Sequence, residues 1–176
     1  MRAQIDIVNA PAVLNAIRSR TAEIGFVEGL DRLDGLDAIT VHRDELVAVV
    51  ARATPWARRR SLRPQELTSE PYLAREAGSG TRAVAAAALA GAGLELYPAL
   101  EVASSQSLKR ALAGGGFALM SRLALTAEVQ AGTPHVLSIR DLDLSRELRA
   151  VRDAGRRSSA GTAAFWRWLT ELSTSS

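Results

Sequence analysis

Residues 75–82 read Arg-Glu-Ala-Gly-Ser-Gly-Thr-Arg, and they lie between the apolar segment Tyr72-Leu73-Ala74 and the alanine-rich run 83–90. The apolar segment predicts a strand, and the alanine-rich run predicts a helix that ends at the glycines Gly91 and Gly93. The glycines and hydroxyl residues between them are typical of a turn. A strand, a tight turn and a helix in this order form the repeating unit of α/β sheets.

The same order recurs on both sides of this stretch. Upstream, Gln4–Ile7 alternates polar and apolar residues as a half-buried strand does, Asn9 can cap a helix from Pro11, and 22–27 predicts the next strand. Further extended segments are predicted at 38–41, 45–51, 99–102, 117–120, 136–139 and 147–151, and helices at 104–113, 121–131 and 162–172. The predicted fold class is α/β, with mainly parallel sheets covered by helices on both faces.

The last predicted helix carries a regular apolar face. Phe165, Trp168, Leu169 and Leu172 recur at the spacing that places them on one side of a helix. This spacing predicts that all four are core residues.

Composition and charge exclude several classes of protein. The chain has 176 residues, no cysteine and a net charge of +3, and 47% of its residues are hydrophobic, so it can fill the core of one domain or of two small lobes. The arginines around 58–63 predict a solvated surface segment, since no recognition-helix pattern accompanies them. The apolar stretch 83–93 is about half the ~20 residues that a membrane span needs, and no apolar run follows Arg2. A cytoplasmic protein with no membrane partner is expected.

Three polar turns fall where predicted strands end and helices begin. They contain Ser79 and Thr81, Asn9, and Ser104. A helix N-terminus carries partial positive charge and unpaired N–H groups, so a small anion can bind where such ends converge beyond the strands of an open sheet. The alternative is that these side chains only cap their helices, and the sequence leaves both interpretations open.

Catalytic chemistry has little support in the sequence. His42 and His135 have no partner at the spacing of a metal site or of a nucleophile and its base. The turn at 78–81 lacks the Gly-Lys-Ser/Thr of a phosphate-binding Walker loop and the Gly-x-Ser-x-Gly of a nucleophile elbow. No catalytic residue, no metal and no cofactor is therefore predicted.

The order of several motifs resembles one family, the effector-binding domains of LysR-type transcriptional regulators, which are similar to type 2 periplasmic-binding proteins. The motifs that carry this resemblance are Ile24–Gly29, Asp44–Val47 with Pro55–Ala57, Arg75–Arg82, Ser104 with Leu108 and Lys109, Leu119–Arg122, and Ala163–Leu169. The resemblance implies a two-lobed domain that binds a small metabolite, often an anion, in the cleft between its lobes and regulates transcription in the full-length protein.

Position by position, the resemblance implies six effector-binding residues: Asn9, Glu28, Ser79, Gly80, Thr81 and Ser104. It implies a first lobe of about 1–47 plus 149–176 and a second lobe of about 48–148. Family members also have a winged helix-turn-helix, a linker helix and a first strand and helix of the sensing domain, which have no counterpart in this sequence. The first lobe is therefore expected to be incomplete. Binding to DNA is expected only through the missing winged helix-turn-helix, and a homo-oligomer is expected in the full-length protein.

Two other functions fit the same architecture. A solute-binding receptor of a transport system would have the same two lobes, but it would need an export signal, which this sequence does not show. An enzyme could use the turn at 78–81 to hold a phosphate, but it would need a base, a metal ligand or a covalent nucleophile. The regulator interpretation is therefore preferred.

Overall fold

The computed structural model describes residues 3–30, 32–130 and 134–174. The helices are α1 (Ala10–Arg18), α2 (Gly80–Gly91), α3 (Ser105–Ala111), α4 (Thr126–Gln130) and α5 (Ala160–Thr174). The strands are β1 (Gly25–Glu28), β2 (Leu36–Ala51), β3 (Ser61–Leu62), β4 (Tyr72–Arg75), β5 (Leu100–Val102), β6 (Phe117–Ser121), β7 (Pro134–Ile139) and β8 (Ser145–Asp153). Short 3-10 helices lie at Pro55–Arg58, Pro64–Ser69, Leu112–Gly114 and Leu123–Leu125.

The chain divides into two compact units. Unit 1 contains Met1–Arg43 and Glu147–Ser176, and unit 2 is the continuous segment Asp44–Arg146. The chain passes from one unit to the other inside strands β2 and β8.

The sheet of unit 2 is mixed. Its strand order is β3-β7-β2-β6-β4-β5, in which β4 is parallel to β5 and β6, and β2 is antiparallel to β6 and β7. Alternate residues of β2 are buried on opposite faces: Leu46, Ala48 and Val50 pack in one core cluster, and Val47 and Val49 pack in another. Helix α2 contributes Val84, Ala85 and Leu89 to the first cluster, and α3 contributes Leu108 to the second. A central strand buried on both faces explains why residues 45–51 are almost uniformly apolar.

Unit 1 is built on β1 and β8, which pair antiparallel with Gly25 opposite Val151. Helix α1 packs Ala10, Leu14 and Ile17 against Val27 and Val151. Helix α5 packs Trp166 and Leu169 against Ala150. Since Ala150 and Val151 are adjacent on one strand, the two helices cover opposite faces of the same pair of strands.

Several predicted elements are confirmed, and two need correction. The strands predicted at 72–74, 99–102 and 117–120 are present, as are the helices that follow 79 and 104. The sheets, predicted as mainly parallel, are mixed, because β2, β6, β7, β1 and β8 form antiparallel pairs. The strand predicted at Gln4–Ile7 is wrong: residues 3–9 form no strand, and Ile5 and Ile7 are 85% and 95% exposed. A strand needs a neighbour for its backbone bonds, and this segment pairs with none of the described strands.

Three further boundaries differ from the sequence-based expectation. The two extended stretches at 38–41 and 45–51 are one strand, β2. In place of the helix predicted at 121–131, the structure has a 3-10 turn at Leu123–Leu125 followed by α4, because Ser121 belongs to β6. Ala131 lies outside the described residues. On α5, Trp168 and Leu172 are exposed, so the predicted face is only partly core, and Trp166 is buried instead.

Candidate functional site

The turn between β4 and α2 is closed by its own backbone. Gly78 has a φ of 94°, in the left-handed region that favours glycine, and Ser79 N–H donates to Glu76 O at 3.1 Å. Helix α2 then begins at Gly80 with Ser79 at its N-cap position. The turn places residues 79–81 directly beyond the carboxyl end of β4.

Ser79 does not use its side chain as a cap. The residue is 4% exposed, and its hydroxyl forms no capping hydrogen bond with the helix. The first bond of α2 runs from Ala83 N–H to Ser79 O at 3.0 Å, so the N–H groups of Gly80, Thr81 and Arg82 precede the intrahelical ladder. A hydroxyl that does not cap the helix and a set of N–H donors therefore lie together at the positive end of a helix dipole.

Thr81 contacts a buried ion pair. Arg146 donates to Asp44 Oδ2 through Nε at 2.9 Å and through Nη2 at 2.7 Å, and its Nη1 donates to Thr81 Oγ1 at 2.9 Å. The side chains of Arg146 and Asp44 are 3% and 0% exposed. Burial by itself would raise the pKa of Asp44, but the Ser121 hydroxyl and the Arg146 guanidinium outweigh burial and lower that pKa below its ordinary value. Asp44 is therefore a carboxylate at neutral pH.

The arginines on either side of the turn are also paired. Arg75 Nε donates to Glu76 Oε2 at 2.8 Å, and Arg82 pairs with Glu101. Burial raises the pKa of Glu76, but the hydrogen bonds and charge of Arg75 lower it overall. The positive charges nearest the turn are therefore balanced by carboxylates, and its backbone and hydroxyl groups are its main donors to a ligand.

Ser104 is a true helix cap. Its Oγ accepts from Ser107 N–H at 3.0 Å and lies 2.9 Å from Ser107 Oγ. Because β4 and β5 are parallel neighbours with Arg75 opposite Val102, the turns at 76–79 and 103–104 leave the same edge of the sheet. Of the predicted residues, Ser79, Gly80, Thr81 and Ser104 thus belong to unit 2 and lie at one sheet edge.

The other two predicted residues belong to unit 1. Asn9 Oδ1 accepts from Ala12 N–H at 3.2 Å, so Asn9 caps α1. Glu28 is the last residue of β1 and is half-buried. Their capping and strand-end positions agree with the sequence analysis, and their part in ligand binding stays a prediction.

Sequence reasoning missed Asp44 and Arg146. The sequence nevertheless contains a signal for both residues. Successive side chains of a strand point to opposite faces, and each of these charged residues stands at a position whose side chain points inward. Asp44 is separated from Leu46 and Ala48 by an even number of residues, so its side chain points to the same face as theirs. The same holds for Arg146 with Leu144 and Ala150, and these four apolar residues are buried. A charge at an inward-facing position needs a partner of opposite charge.

The two histidines lie on strands away from this turn in sequence. His42 is exposed on β2. His135 lies on β7, and its Nε2 is 2.5 Å from the carbonyl oxygen of Arg59. Within residues 3–30, 32–130 and 134–174, no three acidic, histidine or cysteine residues form a group that could hold a metal ion. No helix in the described part of the chain is long and apolar enough to cross a membrane.

Comparison with known families agrees with this geometry. A model of the LysR substrate binding domain matches residues 1–173. This chain belongs to the LysR substrate-binding domain family. An uncharacterized HTH-type transcriptional regulator of Mycobacterium tuberculosis is 38% identical over 159 residues, which are 87% of this chain and 51% of that protein. The chain thus spans about half the length of the curated relatives it matches.

Solved LysR regulatory domains share its fold. The regulatory domain of CcmR from Synechocystis PCC6803, in complex with 2-PG, aligns with a TM-score of 0.84 at 23% identity, over 94% of this chain and 80% of that one. The effector-binding domain of QuiR, in complex with shikimate, aligns with a TM-score of 0.86 at 16% identity, over 95% of this chain and 79% of that one. The fold is therefore the type 2 periplasmic-binding-protein-like fold of LysR regulatory domains, and the family and these neighbours are ligand-binding, regulatory domains.

Proposed function

We propose that this LysR substrate-binding domain senses a small anionic metabolite at the N-terminus of α2. The observation that carries the proposal is Ser79, a residue only 4% exposed at a helix start, whose hydroxyl forms no capping bond. A serine at this position ordinarily caps its helix, so a hydroxyl that does not cap is a donor that a ligand can use. A bound anion would give Ser79 the acceptor that the helix does not provide.

Each residue of the turn has a separate part in binding. The Gly80, Thr81 and Arg82 N–H groups would donate to the anion, and Gly80 has no side chain to block its approach. The hydroxyl of Ser79 would add a further bond, and the Thr81 side chain, which contacts Arg146, would lie beside the ligand. Ser104 Oγ already accepts from Ser107 N–H and donates to Ser107 Oγ, so its hydroxyl would have to turn from Ser107 to the ligand in order to contribute.

Asn9 and Glu28 of unit 1 stay predicted effector-binding residues. Asn9 caps α1 through Oδ1, which leaves its amide nitrogen as the group that could donate to a ligand. The Glu28 carboxylate is an acceptor for hydroxyl groups of a ligand. Both neighbours in complex with a ligand, CcmR with 2-PG and QuiR with shikimate, support a small polar effector for this domain.

The domain would act within a longer protein. Because its relatives are HTH-type transcriptional regulators of about twice its matched length, we infer that DNA is bound in the cytoplasm by a winged helix-turn-helix of the full-length homo-oligomer. Sequence-specific DNA binding by residues 1–176 alone is not expected, because their arginines are spread over both units. The proposal assigns ligand binding to this turn and no catalytic step.

A thermal-shift screen followed by calorimetric titration tests the site. The panel would contain small carboxylates and phosphates, including shikimate and 2-PG. At least one compound should raise the melting temperature of the wild-type chain. Ser79→Ala should weaken that compound about ten-fold or more, since a hydrogen bond to a charged group contributes roughly 1.5–3 kcal/mol. Thr81→Val should also weaken it, because the change removes the partner of Arg146 from the turn.

Ser138→Ala is the matched control. Ser138 is an exposed serine on β7, and its removal should leave the affinity unchanged. The proposed function would be wrong if no compound binds, or if a compound binds equally well to wild type, Ser79→Ala and Thr81→Val.

A further inference from the structure

A cavity of about 580 Å³ lies along one side of helix α2 in unit 2. One wall is formed by α2, and the other by the segment that joins α2 to β5. The residues that line this α2 cavity are Tyr72, Arg82, Ala86, Leu89, Ala90 and 93–98. None of the six predicted effector-binding residues is among them. The volume lies within the range of roughly 300–1,000 Å³ that small-molecule sites occupy.

Hydrogen bonds hold the segment 93–98 at both of its ends. Leu94 N–H donates to Leu89 O at 2.9 Å, and Ala99 N–H donates to Tyr72 O at 2.8 Å. Leu94 also packs against the core cluster that contains Leu89 and Tyr72. Both walls of the α2 cavity are therefore part of the packed fold of unit 2.

Tyr72 brings an unused hydrogen-bond donor to the α2 cavity. The residue is only 8% exposed, and its ring stacks on Phe117 with the ring centroids 5.3 Å apart. Its hydroxyl has no hydrogen-bond partner in the described part of the chain, yet it stays open to solvent. Because Tyr72 lines the α2 cavity, the cavity is the space that this hydroxyl faces. Burial raises the pKa of Tyr72 to about 12, against the opposing charge of Arg82, so the hydroxyl keeps its proton at neutral pH and can donate.

The formal charges that line the α2 cavity cancel. Arg82 donates through Nη1 to Arg75 O and to Glu101, so its charge already has a carboxylate partner, whereas its Nε and Nη2 donate to no described residue. Glu95 adds a carboxylate to the lining. An anion would meet Glu95 and a cation would meet Arg82, so the lining favours an uncharged molecule.

We propose that the α2 cavity is a second binding site, for a small uncharged molecule that has an apolar body and a carbonyl oxygen that accepts from the Tyr72 hydroxyl. Leu89, Leu94 and Pro98 would contact the apolar body. Arg82 Nε and Nη2 are further donors for the same oxygen. The inference is independent of the effector proposed at the turn between β4 and α2, because the two sites share no side chain.

NMR titrations with two bicyclic molecules, 1-tetralone and tetralin, test the chemistry of the site. The two have the same carbon frame, and only 1-tetralone has a carbonyl oxygen. 1-Tetralone should shift the backbone amides of residues 86–98, and tetralin should bind about five-fold more weakly, because a neutral hydrogen bond changes an affinity by about that factor. The carboxylate 1,2,3,4-tetrahydro-1-naphthoate should bind more weakly than 1-tetralone. Tighter binding of this carboxylate would show an acid site and would overturn the proposal.

Tyr72→Phe tests the donor. It keeps the ring beside Phe117 and removes only a hydroxyl without a protein partner, so the melting temperature of the unliganded chain should not fall. The variant should weaken 1-tetralone about five-fold and leave tetralin unchanged. Tyr97→Phe is the matched control, since Tyr97 also lines the α2 cavity but its hydroxyl interacts with Glu95, which raises the pKa of Tyr97. Its effect on 1-tetralone should be less than about two-fold.

Two neighbouring alanines of α2 test the location. Ala86 lines the cavity and Ala87 does not, and both are exposed. Ala86→Trp would place an indole in the space of the ligand, so it should weaken 1-tetralone and tetralin alike. Ala87→Trp makes the same change on the next residue and should leave both affinities unchanged.

Three results would overturn the inference. They are the absence of amide shifts around the α2 cavity, equal affinities of wild type and Tyr72→Phe for 1-tetralone, and equal effects of Ala86→Trp and Ala87→Trp. Ser79→Ala should bind 1-tetralone as the wild type does. Failure of the proposed effector site would therefore leave this second site standing, and the reverse also holds.

Discussion

Arg75 Nη1 donates to Ser105 Oγ at 2.9 Å, and this bond joins the last residue of β4 to the first residue of α3. The same guanidinium also pairs with Glu76 in the turn that follows β4. The turns after β4 and β5 are therefore held together by side chains as well as by the parallel strands before them. The side-chain contacts between the two turns therefore hold the donors of each turn in place, and a ligand bound at either turn would meet donors in fixed positions.

The two N-cap serines of unit 2 should respond differently to alanine. Ser104→Ala removes a bond from Ser107 N–H and should lower the free energy of unfolding by about 1 kcal/mol, whereas Ser104→Asp should retain most of the stability. Ser79→Ala removes no capping bond and should change stability by less than about 0.5 kcal/mol without ligand. Urea unfolding of the four proteins measures both effects. A large loss in Ser79→Ala would mean that its hydroxyl is structural.

Two glycines with the same backbone angle offer a second matched pair. Gly116 and Gly35 both have a φ of 76°, but a Cβ at Gly116 would lie 2.5 Å from Pro71 O, whereas a Cβ at Gly35 would have no atom within 4 Å. Gly35→Ala should cost about 1 kcal/mol, which is the strain of the left-handed conformation. Gly116→Ala should cost about 3 kcal/mol, because the backbone of Pro71 must also move. Equal losses in thermal unfolding would show that the contact with Pro71 is easily relieved.

Unit 1 should be the less stable part of the chain. Residues 3–9 form no strand, Ile5 and Ile7 are exposed, and β1 pairs on only one side among the described strands. Amide hydrogen exchange should therefore be fast at residues 3–9 and slowest at 46–50 and 117–120, where strands are paired on both sides within the core. Strong protection of residues 3–9 in a monomer would show that this segment finds a partner within its own chain.

Acid should weaken unit 2 through Glu66. The Arg59 guanidinium and then the Arg63 N–H hydrogen-bond its carboxylate and lower its pKa to about 2. A carboxylate whose pKa is lowered by folding stabilises the fold fully above its unfolded pKa of about 4.5, and this contribution is lost as the pH falls from about 4.5 to about 2. Urea unfolding should therefore show Arg59→Gln less stable than wild type at pH 7, with a difference that shrinks toward pH 2.

The control for this pH effect is Arg140→Gln. Arg140 donates to the Ser61 hydroxyl at 2.7 Å and so has a partner that does not titrate in this range. Its difference from wild type should stay constant from pH 7 to pH 2. A constant difference for Arg59→Gln as well would mean that Glu66 is not stabilised by the pair.

The sequence predicted most of unit 2 because its elements carry local signals. Residues 72–91 combine an apolar strand, a glycine turn and an alanine-rich helix, and each of these depends mainly on neighbouring residues. The helix starts after Asn9, Ser79 and Ser104 were found for the same reason. The predicted ligand turn is therefore a local feature that sequence can indicate.

The parts that failed depend on distant residues. Gln4–Ile7 has the alternation of a strand, yet a strand forms only beside another strand. The pair of Asp44 and Arg146 is separated by about one hundred positions, so no local pattern shows that the two charges meet. The antiparallel pairing of β2 with β6 and β7 likewise follows from chain topology, which periodicity does not report.

The division of the chain at Asp44 and Arg146 has a consequence for its synthesis. Unit 2 is one uninterrupted segment, whereas unit 1 needs residues from before 44 and from after 146. As the ribosome releases the chain, unit 2 can fold as soon as Arg146 has emerged, while the first 43 residues wait for their partner strand and helix. At roughly 5–20 residues per second, the wait for residues 147–174 lasts a few seconds, during which α1 has no β8 to pack against. Within residues 1–176, unit 1 is therefore the part that completes its packing last.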